Sequence, residues 1–90
     1  MRRDELLSTA KSLVDGNRAA AYGEAYENHE NIAKLWSVVL KKEISVAQVY
    51  QCMILLKVAR LINTPEHEDS WVDIAGYASL GGEIDGTERE

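Results

Sequence analysis

The stretch Met53–Ile62, "MILLKVARLI", decides the fold. It holds seven aliphatic or methionine side chains plus Ala59, with Lys57 and Arg60 set three residues apart among them. Val46, Val49, Met53 and Leu56 recur at helical spacing, while Cys52, Leu55, Val58, Ala59 and Ile62 take up the other sides. The helix has a written start: in "SVAQ", Ser45 is an N-cap and Gln48 stands three residues on, a capping box. It is expected to run to about Ile62 and to end at Asn63. A helix apolar almost all round must be covered on most sides. Three further helices of a 90-residue chain barely achieve that, so a partner subunit is expected: a homo-oligomer, dimer or tetramer.

Working outward, three more helices are expected. "TPE" opens the last one, with Thr64 as N-cap and Pro65 at the first helical position. It should reach about Leu80 and stop at Gly81-Gly82. Residues 83–90, "EIDGTERE", then read as a polar, mobile tail, leaving 1–82 as one domain. Before the central segment, a helix is expected over about Tyr26–Lys42, with an inward stripe of Ile32, Leu35, Trp36, Val39 and Leu40. Continuing that stripe back by one turn reaches Asn28 and leaves Glu27 and Glu30 near solvent. The first helix should cover about Asp4–Asp15, with Leu6, Leu7, Ala10, Leu13 and Val14 inward and Gly16-Asn17 as the stop. The fold class is all-α, a four-helix bundle.

The totals narrow the function. The net charge of −5 disfavours binding to a nucleic-acid backbone, so neither DNA nor RNA is expected as a partner. The lone Cys52 excludes an internal disulfide and a cysteine zinc site, and its apolar neighbours suggest a small core residue. No apolar run is long enough for a membrane span, and "MRRDELLSTAK" lacks the apolar region of a signal peptide. A cytoplasmic protein is expected.

The chemistry concentrates on the last two helices. Lys57 and Arg60, at i and i+3, share a face that Tyr50 and Met53 extend. Asp69, Asp73 and Tyr77 recur at intervals of four on the last helix, and Gly76 would let a backbone or ligand approach Asp73. The plainest reading is an ion-pair network across a helical hairpin, which fixes register and adds little stability. A sharper one is a polar pocket. Arg and Lys can hold a phosphate, the first by its planar fork and the second as a point charge. Two carboxylates can hold Mg²⁺. Tyr22, Tyr26, Trp36 or Tyr77 could stack on a base. His67 lies in the acidic "PEHED" and reads as a solvated residue; His29 is ambiguous. No Ser–His–Asp order, glycine-rich phosphate loop or zinc spacing is present.

"YG" at Tyr22-Gly23, "NH" at Asn28-His29, "IAKLW", "LLKVARL" and "HEDSWVDIAGYASL" together resemble a family of small, mostly phage-encoded proteins. That family is similar in turn to the all-α MazG-like nucleoside triphosphate pyrophosphatases, in their nucleotide-modification-associated branch. The resemblance covers about Arg18 to Glu83. It implies a MazG-like bundle and hydrolysis between α and β phosphates, with Mg²⁺ held by two acidic pairs. Carried over, Glu27 and Glu30 match the first pair in letters, and Asp69 and Asp73 stand for the second at a longer spacing. Lys57 and Arg60 would bind phosphate, with Arg18, Tyr22, Asn28 and Tyr77 as further ligand contacts. Asparagine binds Mg²⁺ more weakly than a carboxylate, and a two-metal mechanism needs more acidic groups than the helix phase points inward. The leading expectation is therefore a non-catalytic nucleotide binder, sequestering a nucleotide-derived immune signal as an anti-defence protein. The alternatives are a Mg²⁺-dependent pyrophosphohydrolase and an acidic protein that blocks a host factor through Glu66, Glu68 and Asp69.

Overall fold

The structure, a computed structural model, describes residues 1–15 and 22–89, with side chains for 1–15 and 26–84. Four helices follow one another: α1 Arg3–Asp15, α2 Tyr22–Leu40, α3 Val46–Asn63 and α4 Glu68–Arg89. The fold is all-α, as the apolar spacing requires, and the described residues hold no strand.

α3 and α4 form an antiparallel hairpin that organises the rest. Its register is steady along its length: Lys57 meets Asp73, Ile54 and Tyr77 line one cleft, and Tyr50 lies against Gly81. At the far end Val46 and Ile84 are both buried in a core cluster with Ala33, Val49 and Tyr50. Tyr26, Ile32, Trp36, Met53, Tyr77 and Leu80 pack around that cluster. Near the other end Leu61, Ser70 and Val72 are buried, and α1 buries Ala10.

The α2–α3 corner is held by local hydrogen bonds that satisfy helix-end groups. Lys41 takes φ 54, and the Lys42 N–H donates to Ser37 O at 3.2 Å. That is a Schellman closure with lysine where glycine is usual. Ser37 Oγ donates to Ala33 O at 2.7 Å and accepts the Ile44 N–H at 2.9 Å. The capping box then starts α3 as the sequence indicates. The Gln48 N–H donates to Ser45 Oγ at 3.1 Å, and the Ser45 N–H to Gln48 Oε1 at 2.9 Å.

The α3–α4 corner differs from the sequence expectation. The Thr64 N–H still donates to Arg60 O at 3.0 Å, so Thr64 closes α3 and does not cap α4. Pro65 sits second in a β-turn closed by the His67 N–H on Thr64 O at 3.0 Å, a position its fixed φ suits. The cap of α4 is His67. Its Nδ1 accepts the Ser70 N–H at 3.2 Å and lies 2.8 Å from Ser70 Oγ, so the hydroxyl donates to the same nitrogen. His67 is thus a half-buried structural residue, and the fully buried Ser70 is satisfied by it.

The end of α4 also differs. The helix continues through Gly81-Gly82 to Arg89, where a stop was expected. Neither described glycine adopts positive φ. A Cβ at Gly81 would stand 3.2 Å from Tyr50 Cβ. Gly81 therefore lets two helices approach closely, and Ile84 beyond it anchors the continuation in the core.

α3 is covered on one side, not on most. Leu55 and Ile62 are 64% and 79% exposed, and Cys52, expected in the core, is exposed as well. The reason is the placement of α2: the core cluster that holds its Ala33 takes from α3 Val46, Val49, Tyr50 and Met53, all in the first half of that helix. α2 itself is rotated from its expected phase. Tyr26, His29, Ala33, Trp36 and Ser37 turn inward, while Leu35, Leu40 and the 76%-exposed Val39 turn out. On α1, Leu7 and Leu13 are likewise exposed.

Candidate functional site

The polar side chains of α3 and α4 meet at one point. Lys57 Nζ lies 3.0 Å from Asp73 Oδ2, with the lysine side chain 18% and the aspartate side chain 35% exposed. The hairpin register brings them together. One turn further along, Tyr50, Gln51 and Ile54 on α3 and Tyr77, Ala78 and Gly81 on α4 line a cleft of about 280 Å³. Its floor is aromatic. Tyr50 is almost fully buried, with its ring centroid 4.7 Å from that of His29 and 6.1 Å from that of Tyr77. His29 and Tyr77 meet edge to face at 6.3 Å, and Tyr50 Oη lies 3.4 Å from His29 Nδ1. Three helices thus contribute rings to one cluster, with one edge-to-face pair and two tilted pairs at 38°.

The remaining candidates scatter. Arg60 is exposed on the flank of α3, one turn from Lys57, and forms no ion pair among the described residues. Asp69 is exposed one turn from Asp73. Glu27 and Asn28 are exposed, whereas Glu30 is partly buried with Lys34 Nζ at 3.9 Å. Asn28 therefore does not face inward: the turn before Ala33 presents His29. That follows from the rotation of α2, since a stripe centred on Ala33 reaches His29 four residues back. Among the described residues no three of His, Cys, Asp and Glu come close enough to hold a metal ion. Arg18 lies outside the described residues, as does the side chain of Tyr22. Gly76, expected to admit a close neighbour, would meet only Val14 Cγ2 at an ordinary 3.7 Å if it carried a Cβ.

Sequence reasoning placed Tyr50 on the Lys57 face but did not find His29 or Gln51 as parts of the site. The signal for His29 was available in its spacing from Ala33 and Trp36. It was hidden because the larger side chains of Leu35 and Val39 suggested a different inward face. For Gln51 no signal existed, because its position is read only from the way α4 crosses α3.

Known proteins narrow the class. The family model described as Domain of unknown function (DUF6378) matches residues 5–85. The chain belongs to that family. It is 46% identical over 76 residues to the Gene 55 protein of Mycobacterium phage L5, which covers 83% of this chain and 49% of that protein. It is 45% identical over 75 residues to the Gene 55 protein of Mycobacterium phage D29, covering 83% and 50%. The chain thus spans about half the length of the curated relatives it matches, and both relatives are phage proteins. No solved structure matches the chain. No helix among the described residues is long and apolar enough to cross a membrane.

Proposed function

We propose that this chain is a phage-type nucleotide-binding protein of MazG-like character, binding its ligand at the α3–α4 cleft without hydrolysing it. The observation that supports this reading is the position of Lys57: a half-buried cation one turn along α3 from Ile54, which lines the cleft together with Tyr77. The cleft volume of about 280 Å³ falls just under the roughly 300–1,000 Å³ of small-molecule sites. That suits a base or a sugar, with phosphates extending toward Lys57 and the exposed Arg60. Tyr50 is too buried to stack on a ligand and serves as the floor, leaving the half-buried Tyr77 as the ring a base can reach.

Lys57 already has a counter-ion. An incoming phosphate competes with Asp73 for the ammonium and meets the repulsion of its carboxylate. Binding without a metal is therefore strengthened by removing the Asp73 charge. In a Mg²⁺-dependent pyrophosphohydrolase Asp73 holds the ion instead, so the same substitution removes activity. The thin acidic set around Asp73 supports the first alternative. A role in sequestering a nucleotide-derived immune signal fits a phage protein that binds and does not turn over.

The test is calorimetry of the wild type against nucleoside triphosphates, cyclic dinucleotides and ADP-ribose. Binding to at least one is expected. Lys57→Ala should weaken it about 10- to 100-fold, the worth of one charge-assisted hydrogen bond, and Asp73→Asn should tighten it. Absence of binding to every one of them sinks the proposal. Pyrophosphate release that Asp73→Asn abolishes would replace it with the enzyme.

A further inference from the structure

One face of α3 has no neighbour among the described residues and carries a pattern of its own. Cys52, Leu55, Ala59 and Ile62 all lie within about 40° of the line opposite Lys57, at roughly 100° per residue. Lys57 faces α4, so this stripe faces away from the hairpin. All four residues are exposed, and Leu56 on the flank is exposed too. No charge interrupts the stripe between Cys52 and Ile62, because Lys57 and Arg60 both lie on the other side of the helix. The side chains alternate small, large, small, large.

We propose that this stripe is an isologous interface with a second copy of the chain, the two α3 helices packing antiparallel about a two-fold axis level with residue 57. Antiparallel pairing about that centre sets Cys52 against Ile62 of the partner subunit. It sets Leu55 against Ala59 of the partner subunit. Every large side chain then meets a small one, the arrangement that lets facing helices interdigitate at close distance. Parallel pairing in register would instead set Leu55 on its own copy and leave two cysteines facing each other. The size pattern therefore fits its own reverse, which an unrelated partner would have to match separately.

The stripe supplies about half of the apolar area of a standard interface. An exposed aliphatic side chain offers roughly 60–120 Å² of apolar surface, so the stripe with Leu56 supplies on the order of 400 Å² per chain. Leu35, Val38 and Val39 on the outward face of α2 are exposed as well. A specific interface buries about 800 Å² per partner. This inference does not rest on the nucleotide proposal, since Lys57 lies on the opposite face of α3 and none of the four stripe residues lines the cleft.

Native Cys52 provides the test. With Ile62→Cys, mild oxidation should give a covalent dimer through the thiol of Cys52 and the introduced one, which the antiparallel pairing brings face to face. Wild type should not cross-link, and Cys52→Ala with Ile62→Cys should not either. Light scattering of the wild type at tens of micromolar should give an even multiple of 10.1 kDa. Leu55→Glu should return the monomer with its helical circular dichroism intact, because Leu55 lies outside the core. A monomeric wild type overturns the proposal. So does an Ile62→Cys variant that fails to cross-link, or cross-linking of wild type or the double variant through like positions.

Discussion

Two adjacent glycines offer a sharp test of how α4 packs, because one touches a neighbour and the other does not. In Gly82→Ala the new methyl group meets nothing within 4 Å. Alanine is about 0.8–1 kcal/mol better than glycine in a helix interior. Gly82→Ala should therefore stabilise the fold by about 0.5–1 kcal/mol, or several degrees in Tm for a chain of this size. In Gly81→Ala the same gain in propensity applies, but the methyl carbon arrives 3.2 Å from Tyr50 Cβ. Tyr50 is among the most completely buried side chains and packs on His29 and Tyr77, so it has little room to yield. Overpacking of this kind costs about 1–3 kcal/mol. The two effects leave Gly81→Ala between neutral and about 2 kcal/mol destabilised. The two alanine variants should thus differ by about 1–3 kcal/mol. Urea unfolding followed by circular dichroism, at one fixed chain concentration, reads both differences. Equal stabilisation by the two substitutions would refute the close approach at Gly81. Equal destabilisation would refute the continuous helix, since alanine harms a glycine pair only where that pair turns the chain.

Two further substitutions probe the corner and the site. Lys41→Gly should stabilise by about 1 kcal/mol, because the left-handed backbone at φ 54 costs a side-chain-bearing residue roughly that much; an unchanged or lowered urea midpoint would contradict the Schellman assignment. At the site, Lys57→Met and Asp73→Asn should each cost about 1–2 kcal/mol, reduced from the fully buried case by the partial exposure of both groups. The double variant should cost less than the sum, and strict additivity in that cycle would show that the ion pair has no structural weight.

How much of this was legible beforehand follows from the range of each interaction. The capping box at Ser45 and Gln48 forms within four residues, so its letters suffice to place the start of α3. The all-helical class is equally local, resting on apolar spacing and the lack of alternation. The rotation of α2 was not legible. Leu35, Val39 and Leu40 are larger and more apolar than His29 and Ala33, yet they face out. The core takes the small side chain where α3 comes close. The end of α4 is illegible for a related reason: "GG" has the letters of a stop, and only contact with Tyr50 and the burial of Ile84 turn it into a passage between helices.

The sequence by itself determined that the chain is helical, where α3 begins, and that Lys57, Arg60 and Tyr50 share one side of it, because these depend on spacing along a single helix. The tertiary structure decided that Asp73 rather than Asp69 meets Lys57, that His29 joins the tyrosines, and that the far side of α3 stands uncovered. Those outcomes depend on the angle and register at which separate helices cross, and such offsets are set by the summed packing of many side chains.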